Sequence, residues 1–161
     1  MNSPALDQLK QWQQQWQQAF QKEKARILVC AGTGCVANGS LQVYQALKQE
    51  VEARGVFVTV DLILEAEKTG VTVVASGCHG FCEKGPLVRL EPSGVLYTKV
   101  KPEDAAEIVE ALLSGGQPVE RLLYRHPVTG EVFAQENQIP FYRYQKRTSL
   151  QHCGVIAPDD I

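Results

Sequence analysis

Two cysteine pairs constrain this chain more than any other feature: Cys30-x4-Cys35 and Cys78-x3-Cys82. Each follows a short apolar run, ARILVC before the first pair and VTVVAS before the second. Runs of this length, rich in β-branched residues, read as strands. A single sheet holding both strands brings both loops to one end, where four thiols converge. Four converging thiolates hold either tetrahedral zinc or an iron–sulfur cluster. Structural zinc favours two tight Cys-x2-Cys knuckles in a domain that has little core of its own. The looser loops here sit among strands and helices that supply a core. They suit a [2Fe-2S] cluster, which needs two thiolates on each of two irons and room for bridging sulfides. Zinc and unligated thiols stay open as alternatives. Neither pair has the Cys-x2-Cys spacing of a thiol–disulfide enzyme.

The neighbours of these cysteines are small. Gly32, Gly34, Gly77 and Gly80 allow backbone N–H groups to approach cluster sulfur, where hydrogen bonds tune the potential. His79 lies between two proposed ligands. Four cysteines already satisfy two irons, so His79 is expected beside the cluster or on its solvent side, not as a ligand. Phe81 is expected to shield the cluster or pack beneath it. Gly32-x-Gly34-x-x-Ala37 also has the outline of a dinucleotide-binding fingerprint, with Asp61 as its acid. That acid stands further along than the usual ~20 residues, and the thiols need the same glycines.

The rest of the chain divides into three parts. Residues 1–25 carry Leu6, Leu9, Trp12, Trp16, Ala19 and Phe20 at helical spacing, an amphipathic helix expected to pack on its own domain. Residues 26–116 alternate strands and helices. A helix is predicted over 40–54 with Leu41, Tyr44, Leu47 and Val51 on its buried face, and Gly55 ending it. VFVTVDL and VTVVAS read as strands, and LVRLEP and VLYTKV as a hairpin about Ser93-Gly94. Pro102 opens a last helix with Ala105, Ile108, Val109, Leu112 and Leu113 on one face, closed by Gly115-Gly116. This is an α/β layer, one small mixed sheet with flanking helices. Residues 117–161 show no sustained period and read as an extended tail, a linker running into the start of a further, truncated domain. The chain is thus expected to be an N-terminal fragment.

Several function classes are excluded on charge and composition. Sixteen basic against eighteen acidic residues give a net charge of −2, no footprint for nucleic acid. Arg143, Lys146 and Arg147, interleaved with Tyr142 and Tyr144, then read as a solvated or subunit-contacting segment. No apolar run approaches the roughly 20 residues that span a bilayer. The N-terminus is too polar for a signal peptide, which points to a reducing cytoplasm. There the five cysteines mean metal or redox chemistry rather than disulfides. Cys153, remote from both loops, is expected to be a small structural residue. His126 and His152 have no partner pattern and read as ordinary surface or linker residues.

CAGTGCVANGS and SGCHGFCEKGPLVRLEPSGVLYTKVKPEDAAEIV closely resemble the thioredoxin-like [2Fe-2S] ferredoxin domain, from about Ile27 to Leu113. The strongest stretch is Gly77-Cys78-x-Gly80-x-Cys82-x-x-Gly85-Pro86. That domain occurs in complex I and at the N-terminus of flavoprotein subunits of electron-bifurcating hydrogenases and NAD-dependent formate dehydrogenases. IPFYRYQKRTSLQHCGVIAPDDI resembles the opening of the NADH- and FMN-binding core of that subunit. The resemblance implies a thioredoxin-like fold, with Cys30 and Cys35 binding one iron and Cys78 and Cys82 the other. It implies one-electron transfer within an NAD(P)H-dependent oxidoreductase, alongside other redox subunits, in the cytoplasm or at the cytoplasmic face of a membrane complex. FMN, NAD(H) and a [4Fe-4S] centre would belong to sequence beyond Ile161. No side chain of this chain is expected to be catalytic. The rival is a zinc-binding or cluster-free docking domain of the same kind of complex.

Overall fold

A computed structural model describes residues 8–12, 14, 23–56 and 70–149. Its centre is β1 (Glu23–Cys30), whose side chains alternate between two faces. Ala25, Ile27 and Val29 enter one hydrophobic core, and Cys30 enters another. β2 (Gly70–Ser76) lies parallel to β1, and β3 (Val88–Glu91) lies antiparallel on its other side. β4 (Val95–Tyr97) completes a four-stranded mixed sheet in the order β2-β1-β3-β4. Because β1 and β2 run the same way, Cys30 stands level with Ser76, and both following loops leave the same sheet end. The expected convergence of the two cysteine loops follows from that parallel pairing. Past Val56, the strand expected at VFVTVDL lies outside the described residues, and Asp61 with it.

α1 (Thr33–Ala37) is a single short turn of helix, and α2 (Ser40–Ala53) follows it. The buried face of α2 is Val43, Leu47 and Val51, one residue every four, each about 1% exposed or less. Leu41 was expected on that face and is instead 45% exposed, while Tyr44 is half-buried at its margin. At 3.6 residues per turn, Leu41 lies more than half a turn away from Val43. α3 (Ala105–Ser114) buries Ala105, Ile108 and Val109, with Leu112 and Leu113 packed at the edge. The Asp104 carboxylate accepts the Lys101 N–H at 2.7 Å before it, and Gly115 ends it. Both helices cover the face of the sheet that Ile27, Val29, Val73 and Leu90 present.

The hairpin differs from the sequence reading in its turn. Leu90 pairs with Val95, and the Gly94 N–H donates to the Leu90 carbonyl at 2.8 Å. The connection is therefore residues 91–94, in which Pro92 has no ladder N–H to give.

Residues 117–149 are irregular, as their lack of period predicts, but they fold back on the domain. β5 (Tyr124–Arg125) and β6 (Val132–Phe133) form a small hairpin, and α4 (Pro140–Arg143) follows. Backbone bonds from Leu96 to Ala134 and from Thr98 to Leu122 run along β4. They cover the free edge of the sheet. Tyr124, Ile139 and Tyr142 are buried in the core that holds Cys30 and Cys35. The side chains of this segment, not its backbone period, hold it there.

Residues 8–12 and 14 are helical, and Leu9 and Trp12 are each 57% exposed. The expected packing of that stripe on its own domain is not met at these two positions. Trp16, Ala19, Phe20, His152 and Cys153 lie outside the described residues. Among the described residues no helix is long and apolar enough to cross a membrane.

Candidate metal centre

Cys30 ends β1 and is buried, and its N–H donates to the Leu87 carbonyl at 3.0 Å. Cys35 is buried on α1. Cys78 follows β2 half-buried, and Cys82 begins a 3-10 turn, Cys82–Lys84, exposed. All four are free thiols. They stand as two pairs. Burial, then the adjoining Cys30 thiol, pushes Cys35 up to about 12, with Cys82 adding a smaller effect. Cys82 is raised chiefly by the charge of Cys78, and Cys30 also contributes. Each pair thus meets internally, and each feels the other. A two-iron centre asks for two thiolates per iron, and two facing pairs fit that demand.

Three glycines let the two loops close on one another. A methyl group at Gly32 would lie 3.0 Å from the Cys78 Cβ, and one at Gly34 3.0 Å from the Cys82 Cβ. At Gly85 it would lie 2.7 Å from the Cys35 Sγ. Gly32 and Gly34 therefore face thiols, and the space a dinucleotide pyrophosphate would need against them holds Cys78 and Cys82. Gly80, at φ +80°, turns its N–H toward the Cys78 Sγ at 3.3 Å. This is the kind of N–H···S contact expected of the loop glycines. Gly77 leads into the loop half-buried, its carbonyl 3.3 Å from the Ser76 hydroxyl.

His79 is not on the solvent side: it is 1% exposed, its Nε2 2.7 Å from the Ser76 hydroxyl. Burial lowers its pKa to about 4, with the Arg89 and Arg147 charges adding to the effect, so the ring is neutral at pH 7. Phe81 is buried in the same core as Cys30 and Cys35. Its ring stacks on Phe141 at 4.2 Å and meets Tyr142 edge-on at 5.6 Å. It packs in the apolar core that also holds Cys30 and Cys35.

Tyr142 and Arg147 join the site without any sequence signal that isolates them. The Tyr142 hydroxyl and the Arg147 guanidinium donate to the His79 carbonyl at 3.0 Å and 2.8 Å. Within the segment expected to be solvated or subunit-contacting, Arg143, Tyr144 and Lys146 are exposed, Arg147 is half-buried and Tyr142 is buried. His126 caps its own turn, its Nδ1 accepting the Thr129 N–H at 3.2 Å.

Residues 14–113, more than half the chain, match the family described as thioredoxin-like [2Fe-2S] ferredoxin. The chain belongs to that family. A 2Fe-2S ferredoxin of Aquifex aeolicus is 39% identical over 90 residues, 55% of this chain and 71% of that protein. One from Clostridium pasteurianum is 37% identical over 99 residues, covering 62% of this chain and 94% of that one. A solved thioredoxin-like [2Fe-2S] ferredoxin from Aquifex aeolicus superposes with a TM-score of 0.51 at 32% identity. It spans 69% of this chain and 99% of that chain. The thioredoxin-like fold and the family's chemistry, electron transfer through a [2Fe-2S] cluster, are thereby this chain's at the level of the ferredoxin domain.

Proposed function

We propose that Cys30 and Cys35 bind one iron, and Cys78 and Cys82 the other, of a [2Fe-2S] cluster that relays single electrons within an NAD(P)H-dependent oxidoreductase. The observation that carries the ligand assignment is the close approach of the two cysteine loops at one sheet end, where a methyl at Gly32, Gly34 or Gly85 would meet the Cys78, Cys82 or Cys35 thiol. When bound, the cluster supplies a one-electron couple. The chain's own part is to hold it and to shape its surroundings. Cys30 and Cys35 anchor its inner side in the apolar core, and Phe81 keeps water from beneath. The Gly80 N–H faces a ligand sulfur, which favours the more negative, reduced state. The loop carrying exposed Cys82 is the side a redox partner can approach. No side chain forms or breaks a bond.

The oxidoreductase context rests on the resemblance of the segment from Ile139 to the opening of an NADH-binding flavoprotein core. It gains support from residues 117–149, which extend beyond the family-matched region and pack on it. On this reading FMN, NAD(H) and a [4Fe-4S] centre belong to the parent subunit beyond Ile161, and the partners are other redox subunits in the cytoplasm.

The ligand set is tested by single serine replacements at Cys30, Cys35, Cys78, Cys82 and Cys153, each reconstituted anaerobically. Iron content and the visible spectrum should change in the first four and stay as in the parent protein for Cys153→Ser. Cluster loss in Cys153→Ser, with any of the other four unaffected, would overturn the assignment.

A further inference from the structure

One peptide group joins the segment after the ferredoxin core to a proposed ligand. It is the His79–Gly80 peptide. Its N–H end points to the Cys78 Sγ at 3.3 Å. Its carbonyl end accepts two hydrogen bonds, from the Tyr142 hydroxyl at 3.0 Å and the Arg147 Nη2 at 2.8 Å. Arg147 also lies over the Tyr142 ring, 4.4 Å from its centroid, so the two donors brace each other. Tyr142 is 8% exposed, and desolvation of its hydroxyl without a partner would be costly. The His79 carbonyl is that partner.

We propose that Tyr142 and Arg147 form a clamp that sets the reduction potential of the centre through the His79–Gly80 peptide. Both residues lie outside residues 14–113, the part matched by the ferredoxin family. The inference rests on Cys78 being a cluster ligand, as proposed above.

The physics is that of linked hydrogen bonds. Donors on a carbonyl polarise the peptide, and its N–H becomes a stronger donor at the other end. A charged donor does so more than a neutral one. A stronger N–H···S contact offsets negative charge on the ligand sulfur, and that charge grows on reduction. The reduced state is favoured and the potential rises. The guanidinium acts in the same direction as a cation beside the loop, its Nη2 4.0 Å from where a Gly80 Cβ would stand. Glu136 lies 3.4 Å from Arg147 and 2.7 Å from Arg89, and Glu91 pairs with Arg89 at 2.6 Å. Arg147 is thus the terminal cation of an alternating chain, and it donates directly to the thiol loop.

Tyr142 and Arg147 are positioning residues, so the test reads a potential. The full chain, Tyr142→Phe, Arg147→Gln and Arg147→Lys are reconstituted with iron and sulfide and titrated anaerobically, with reduction followed by EPR. Arg147→Gln should keep the parent spin count. Its reduced-to-oxidised ratio at the parent midpoint should fall about tenfold, a shift of 59 mV for one electron. Tyr142→Phe should shift the same way by less, and Arg147→Lys should recover most of the change. Unaltered midpoints in both Arg147→Gln and Tyr142→Phe, at full spin count, would overturn the clamp. A parent chain that takes up no cluster would sink the ligand assignment instead. The clamp is then judged on that chain by amide exchange at Gly80. Exchange should quicken in Tyr142→Phe and Arg147→Gln, and equal rates would overturn the clamp.

Discussion

Gly85 sits where the two cysteine loops meet. A methyl there would lie 2.7 Å from the Cys35 Sγ and 3.2 Å from the Cys82 carbonyl oxygen, so it would press on both loops at once. Relief requires moving either the buried Cys35 of α1 or the turn that starts at Cys82. Gly85→Ala is therefore expected to cost about 1–3 kcal/mol, the usual range for overpacking, and to lower iron bound per chain. Urea unfolding and iron analysis check it, and a variant with parent stability and full iron would show that the loops can shift freely. His79 illustrates the same tightness. Its ring is neutral and buried against Ser76, while its carbonyl accepts from both Tyr142 and Arg147.

Two cores divide the work among the elements. Leu47 of α2 belongs to the core between the helices and the sheet, and Phe81 belongs to the core beneath the thiols. Leu47→Ala should destabilise the fold by about 2–5 kcal/mol while leaving the EPR line shape of the folded protein as it is. Phe81→Ala should cost about 3–5 kcal/mol and also speed loss of iron in air, because water then reaches the inner thiols. Equal iron retention in the two variants would mean that Phe81 gives the centre no protection. The elements around the first core were legible in the sequence because period 2 and period 3.6 survive there. The cysteine spacing likewise placed the thiol loops, since parallel neighbouring strands end together. The α2 face was read through Leu41 because an apolar residue there fits a loose helical stripe. The contacts that choose Val43 come from the sheet, which no local pattern encodes. The second core was not legible. Tyr124, Ile139 and Tyr142 reach it singly from an irregular segment, and long-range contacts of that kind leave no period.

At the scale of the whole molecule the chain belongs to a family of electron carriers. Its net charge is near balance at −2, and the glycine-rich loop that outlines a dinucleotide fingerprint is filled by Cys78 and Cys82. Calorimetric titration with NAD or NADH should give no saturable heat, and a saturable isotherm would show that the loops open to admit a pyrophosphate. The C-terminal segment covers the β4 edge and reaches the second cysteine loop through the His79 carbonyl. The measurement that bears most directly on the central claim is EPR of the dithionite-reduced chain, after anaerobic reconstitution with iron and sulfide. The four-thiol assignment predicts a signal from a single unpaired electron, close to one spin per chain. A folded chain that is EPR-silent, takes up no iron and binds zinc at its cysteines would contradict it.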